Sequence, residues 1–191
     1  NAADFSDQEH YAVDILLTAD GRPTELAQQI ADRYVEIMVD EYQDTNEVQN
    51  RIFDAISRKG ENLFTVGDVK QSIYRFRLAQ PEIFLEKYRL YRHAEAAASG
   101  QARKILLTRN FRSRPEVLEA TNFVFRNILS RQMGEMDYGA EEQLYAGAAF
   151  APAPDRETEL HLVSVENTDA EDFDRTRVEA DFVAGRVRKM L

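Results

Sequence analysis

The chain of 191 residues has no cysteine, which excludes disulfide staples and any zinc or iron–sulfur centre built on thiolates. A reducing, cytoplasmic setting is the expectation. Its three histidines, His10, His93 and His161, are scattered, without a spacing that would make metal ligands or an acid–base pair. No apolar run reaches the roughly 18 residues of a membrane span and no basic-then-apolar leader opens the chain, so neither membrane insertion nor a signal peptide is expected. No glycine is followed by lysine, which removes the GxxxxGK loop whose backbone amides and lysine cradle nucleotide phosphates. A start methionine is missing as well, and the last residues lie inside a helical pattern. A piece of a longer protein is therefore expected, one that hydrolyses no ATP by itself.

The formal charge of −10 disfavours a surface coated with nucleic acid, but it describes the average field and not the grooves. Arg103, Lys104, Arg109, Arg112 and Arg114 fall between Ala102 and Pro115 with no acid among them, and Lys70, Arg75 and Arg77 cluster likewise. The acidic excess lies in 4–9, 135–142 and 169–174.

Periodicity divides the chain. Ser6 with Glu9 suggests a capping box opening a helix to about Leu17, and Leu26, Ala27, Ile30 and Ala31 mark a second helix. Ile37–Val39, Leu63–Val66 and Ile105–Leu107 are short apolar runs between helical patterns, the signature of strands covered on both faces of a parallel sheet. Thr45 or Asn46 caps a helix carrying Val48, Ile52 and Ile56, while Pro81 and Pro115 each open another. Beyond Gln132 the pattern dissolves, to resume with a strand at Leu160 and Leu162 and a helix through Val178, Phe182, Val183, Val187 and Met190. The expected division is 1–131, a loop or linker at 132–155, and a further strand and helix over 156–191.

Three segments could carry chemistry. VEIMVDEYQDTN, 35–46, delivers Asp40 and Glu41 onto the end of an apolar run. One strand-end carboxylate is sufficient protein ligation for magnesium, and the next residue can orient or deprotonate a water; a polar turn is the plainer reading of the same pair. In VGDVKQSIYRFR, 66–77, Gln71 follows a second apolar run, where an amide can sense a phosphate and its water without charge. Tyr74 and Phe76 alternate with Arg75 and Arg77, a pattern that suits single-stranded nucleic acid and equally an amphipathic strand with both rings in a core. In LLTRNFRS, 106–113, Arg112 stands just before a helix, where a surface arginine is also ordinary.

In type and order these segments resemble motifs of the superfamily 1 DNA helicases of the UvrD and Rep kind, and GDVKQSIYRFRLAQPEIFLEKY, 67–88, is most similar to the helicase-nuclease A subunits of bacterial AddAB complexes. The resemblance covers roughly 4–131. It implies an α/β fold: a RecA-like P-loop NTPase lobe with a parallel sheet flanked by helices, here without its phosphate-binding loop, followed after the linker by the start of a second lobe. It implies ATP and Mg2+ as cofactors, Asp40 as metal ligand, Glu41 as base, Gln71 as phosphate sensor and Arg112 as the arginine reaching the terminal phosphate. Phe111 takes the place of an aromatic against the adenine base, and Tyr74, Phe76 and Arg77 that of the strand-binding groove. Phe76 stands where the family commonly has tryptophan. The implied partners are single-stranded DNA and an AddB-type protein. Two alternatives stay open: a repair helicase without nuclease, and a degenerate DNA-binding module that has lost its ATPase.

Overall fold

Two aspartates three residues apart start the first helix. In the computed structural model, which describes residues 3–72, 74, 78–134, 136–152, 157–163 and 175–190, Asp4 caps helix α1 (Phe5–Leu16). Its carboxylate accepts from the Asp7 amide at 2.8 Å, and Asp7 returns the bond at 3.1 Å. The capping box thus lies two residues before the expected Ser6 and Glu9, because this Asp–Asp pair satisfies two otherwise orphaned amides reciprocally. Glu9 is left to face another helix.

Thr24 caps α2 (Glu25–Arg33), and strand β1 (Ile37–Val39) follows. A 3-10 turn, Tyr42–Asp44, leads into α3 (Glu47–Ala55), where Asn46 and Gln49 form a second capping box. Strand β2 (Leu63–Thr65), a 3-10 turn at Val69–Gln71 and α4 (Pro81–Leu90) come next, with Pro81 in the first turn where its missing N–H costs nothing. Then come β3 (Arg92–His93), β4 (Arg103–Lys104), β5 (Arg109–Asn110), α5 (Pro115–Ile128), α6 (Arg131–Gly134), β6 (Tyr145–Ala146) and α7 (Arg175–Met190).

Leu16, Ala27 and Ala55 form the buried centre where α1, α2 and α3 meet, with Ala12, Leu17, Ile30, Ile52 and Ile56 packed around it. Alanine at both Ala27 and Ala55 lets the helices approach closely. Strands β1 and β2 run parallel in register, Ile37 with Leu63, Met38 with Phe64 and Val39 with Thr65. Arg58 pins the entry to β1 by donating to the carbonyls of Ala31, Tyr34 and Val35 at 3.3, 2.6 and 3.0 Å.

Three strand expectations need correction. The sheet is covered unequally on its two faces: Ile37, Val39, Leu63 and Thr65 are partly buried, whereas Met38 is 71% and Phe64 47% exposed. Ile105–Leu107 is not a strand. The parallel pairing of β3 with β4 ends at Lys104, whose ammonium sits 3.9 Å from the Tyr88 ring centroid and donates to the Tyr88 carbonyl at 3.1 Å, and Leu107 is left 82% exposed. Leu160 and Leu162 lie in an exposed stretch that joins no sheet among the described residues. That stretch meets α7 through polar and ring contacts instead, Glu159 with Arg186 and the His161 ring edge-on to Phe182 at 5.3 Å.

The segment 132–155, read as a linker, carries β6, which pairs in parallel with β5 and is braced by α5: Asn122 donates to the Leu144 carbonyl at 2.9 Å and accepts from the Tyr138 hydroxyl at 2.6 Å. No helix among the described residues is long and apolar enough to cross a membrane.

Candidate functional site

Parallel pairing in register brings the carboxyl ends of β1 and β2 side by side, and in open α/β sheets ligands sit beyond those ends. Asp40 and Glu41 leave β1; Gly67, Asp68 and the turn bearing Gln71 leave β2. Two backbone bonds, Val66 amide to Val39 carbonyl at 2.8 Å and Tyr42 amide to Val66 carbonyl at 2.9 Å, carry the pairing past the strands into both loops.

Asp40 is exposed and accepts from the Glu41 amide at 2.9 Å through Oδ1. Glu41 adopts φ 50, the left-handed region, which costs a residue with a Cβ on the order of 1 kcal/mol and persists only where its surroundings hold it. Its backbone is tied by Asp40 Oδ1 and by the Asp44 amide, which donates to the Glu41 carbonyl at 2.9 Å, and its side chain by Gln43, 1% exposed, whose Nε2 donates to Glu41 Oε2 at 2.7 Å and whose Oε1 accepts from the Asp68 amide at 3.0 Å. Beside it, Tyr42 is completely buried. Its ring packs edge-on to Phe84 at 5.9 Å and tilted to Phe53 at 6.4 Å, and its hydroxyl donates to Asn50. Burial, seconded by the charge of Asp54, pushes the Tyr42 hydroxyl well above its ordinary pKa. Asp44 is likewise pushed up, first by burial and then by the charge of Glu41, against the opposing hydrogen bond of Gln43.

Gln71 joins this network through Asp68, whose Oδ2 accepts from Gln71 Nε2 at 3.0 Å while Oδ1 pairs with the Lys70 ammonium at 2.8 Å. Lys70, read in sequence only as part of a basic cluster, is engaged in this ion pair. Tyr74 is 38% exposed, so it is not a core residue. Phe76 and Arg77 lie outside the described residues.

Phe111 and Arg112 belong to a different element. Asn110 Oδ1 accepts from the amides of Arg112 and Ser113 at 2.9 and 2.8 Å, a side-chain turn that bends the chain from β5 toward α5. The Phe111 ring is 67% exposed and rests against Gly147, where an added Cβ would stand 2.7 Å from it. Arg114 stacks its guanidinium over Phe150 at 5.3 Å and donates to the Ala151 carbonyl at 2.7 Å. Among the described residues no hydrogen bond or ion pair joins Arg112 to Asp40, Glu41 or Gln71. The structure therefore brings Asp40, Glu41 and Gln71 into one network and leaves Phe111 and Arg112 apart from it.

Sequence reasoning missed Gln43, Asp68 and Asn110. The first lies within VEIMVDEYQDTN, but its residue type and spacing carry no signal for a bond to the Asp68 amide 25 residues away. Gly67 has a steric reason, because a Cβ there would stand 2.6 Å from Gln43 Oε1.

Residues 1–92 match the UvrD/REP helicase N-terminal domain, whose fold is a RecA-like lobe. Three curated proteins, each named as the A subunit of an ATP-dependent helicase/nuclease, are similar throughout. The one from Ruminiclostridium cellulolyticum is 44% identical over 100% of this chain and 18% of its own length, that from Staphylococcus carnosus 45% over 100% and 15%, and that from Bacillus velezensis 46% over 98% and 16%. The chain thus spans about 15–18% of the length of these relatives. With the α/β fold, the strand-end carboxylates and similarity along its whole length in agreement, the chain belongs to the UvrD/Rep helicase family, with the helicase/nuclease A subunits as its relatives.

Proposed function

We propose that this chain is the central portion of an ATP-dependent DNA helicase of the kind found in helicase-nuclease A subunits, a cytoplasmic enzyme that moves along single-stranded DNA during double-strand-break processing beside an AddB-type partner. Residues 1–131 contribute to the first RecA-like lobe and its junction, 132–155 link, and 156–191 begin the second lobe. The phosphate cradle is assigned to residues outside 1–191. The observation that carries this reading is the single hydrogen-bonded network holding Glu41, Gln43, Asp68 and Gln71 at the adjacent ends of two parallel strands.

Asp40 fits a magnesium ion by donor chemistry: it is an exposed strand-end carboxylate, with one oxygen engaged by a backbone amide and the other turned to no partner among the described residues. Bound there with ATP, the metal would supply neutralisation of phosphate charge. Glu41 orients the attacking water and takes its proton on the oxygen that Gln43 leaves open. Gln71 senses the terminal phosphate, Phe111 lies against the adenine, and Arg112 meets the charge that develops as the phosphate transfers. Tyr74, Phe76 and Arg77 grip bases and backbone of the strand.

The test is a pair of substitutions in the full-length enzyme. Glu41→Gln keeps Mg-ATP binding and lowers turnover by about 10²- to 10⁴-fold. Asp40→Ala weakens metal-dependent nucleotide binding as well. Near-normal turnover in Glu41→Gln removes the base assignment.

A further inference from the structure

Gln43 spends both ends of its amide on the two loops of the site. Nε2 donates to Glu41 Oε2 at 2.7 Å and Oε1 accepts from the Asp68 amide at 3.0 Å, and Asp68 in turn accepts from Gln71. The side chain is 1% exposed, so it has no surface from which to touch nucleotide or DNA itself. It is also boxed in. A Cβ on Gly67 would lie 2.6 Å from Oε1 and 3.1 Å from the Gln43 amide nitrogen, so the glycine gives the carboxamide the room it occupies. Glu41 meanwhile holds a left-handed backbone, at φ 50, that the turn by itself does not favour.

We infer that Gln43 is a positioning residue: its buried amide sets the Glu41 carboxylate in register with the Asp68–Gln71 loop, so that the oxygen facing the water and the amide facing the phosphate keep a fixed relation. The inference rests on the base assignment made above for Glu41. An amide suits this place because it can donate to a carboxylate and accept from a backbone N–H at once, carrying no charge that would compete with the base. A carboxylate fixed on one oxygen presents the other in one direction, and a misplacement of about 1 Å in such a group lowers rate by up to ~10²-fold.

The experiment uses the full-length enzyme and the near-isosteric Gln43→Met, which fills the space and removes the hydrogen bonds to Glu41 and the Asp68 amide together with the longer one, 3.4 Å, to Asp44. The expected result is a kcat lower by about 10- to 100-fold with the KM for ATP changed less than about threefold, since Gln43 touches neither ligand. Single-turnover rates then close a cycle with Glu41→Gln. In that background Gln43→Met has little further effect, because both changes disable the same carboxylate. Gly67→Ala supplies an independent variant that displaces the amide while keeping its chemistry, and the same split between kcat and KM is expected, non-additive with Gln43→Met. The proposal is overturned if kcat is unchanged, if the losses of Gln43→Met and Glu41→Gln multiply, or if activity falls only in proportion to the folded fraction measured by thermal unfolding of each variant. Glu41→Gln alone reads the base assignment, so its collapse beside an unaffected Gln43→Met refutes this inference and leaves that assignment standing.

Discussion

The two halves of the candidate site are built in opposite ways. Around Glu41 and Gln71 the polar groups are cross-braced: a buried amide joins two loops, a buried tyrosine underlies them, and an ion pair between Asp68 and Lys70 closes the second turn. Around Phe111 and Arg112 a single asparagine shapes the backbone, and both side chains stand in the open. Gln43 is buried, so breaking either of its bonds to the two loops leaves a buried polar group unsatisfied, whereas the exposed side chains of Phe111 and Arg112 move at little expense. The first half is thus organised before any ligand arrives. The second leaves both side chains exposed, with their backbone shaped by Asn110.

The sharpest way to break this contrast is Arg112→Ala. An arginine that meets transferring phosphate contributes about 10³- to 10⁵-fold to turnover, while an exposed side chain outside any network changes stability by roughly 0.5 kcal/mol or less. Steady-state ATPase of the full-length enzyme should therefore collapse with the melting temperature nearly unmoved. A variant that melts early and turns over normally would make Arg112 a structural residue and place both halves in one class.

Stability separates the two aromatic residues next. Tyr42→Ala empties a completely buried site against Phe53 and Phe84 and should cost about 3–5 kcal/mol, with Tyr42→Phe near 1 kcal/mol for the lost bond to Asn50. Phe111→Ala removes a ring that is mostly exposed and should cost about 1 kcal/mol or less. Denaturant unfolding of the three variants reads the difference directly. Equal losses at Tyr42 and Phe111 would mean that the Phe111 ring is core, and that its exposed face recruits nothing.

How much of this was legible in the sequence follows from the range of the interactions. Helices marked by caps and period were found, including the proline starts at Pro81 and Pro115, because those signals are local. The strands β1 and β2 were found because a short apolar run followed by a carboxylate or a glycine is also local. Ile105–Leu107 failed for the opposite reason. Its apolar run matches theirs, yet whether such a run becomes a strand depends on a neighbour to pair with, and among the described residues the pairing stops at Lys104. The placement of Asp40, Glu41 and Gln71 beside the ends of β1 and β2 could be read from the apolar runs that precede them. Gln43 could not be given its place, because its importance lies in a bond to the Asp68 amide, 25 residues away in the chain, and in the space left by Gly67. Nor does a sequence reveal that Glu41 takes a left-handed backbone.

The finest test of the contrast is Tyr74, which follows the braced loop and is 38% exposed. Two readings of the alternation at 74–77 give different signatures. Stacking on a base contributes on the order of 1–3 kcal/mol, whereas truncating a buried aromatic costs roughly 3–5 kcal/mol of stability. At 38% exposed, Tyr74 already departs from a core residue. Tyr74→Ala in the full-length enzyme should therefore weaken single-strand binding and uncouple ATPase from DNA while shifting the melting temperature little. Salt provides an internal control, since losing a stacking ring leaves the slope of log affinity against log salt nearly unchanged, and losing a phosphate contact reduces it by about one unit. A variant that melts far earlier yet binds single strands normally when folded would return Tyr74 to the core, and would leave the braced half of the site without an exposed outlet toward DNA among its described residues.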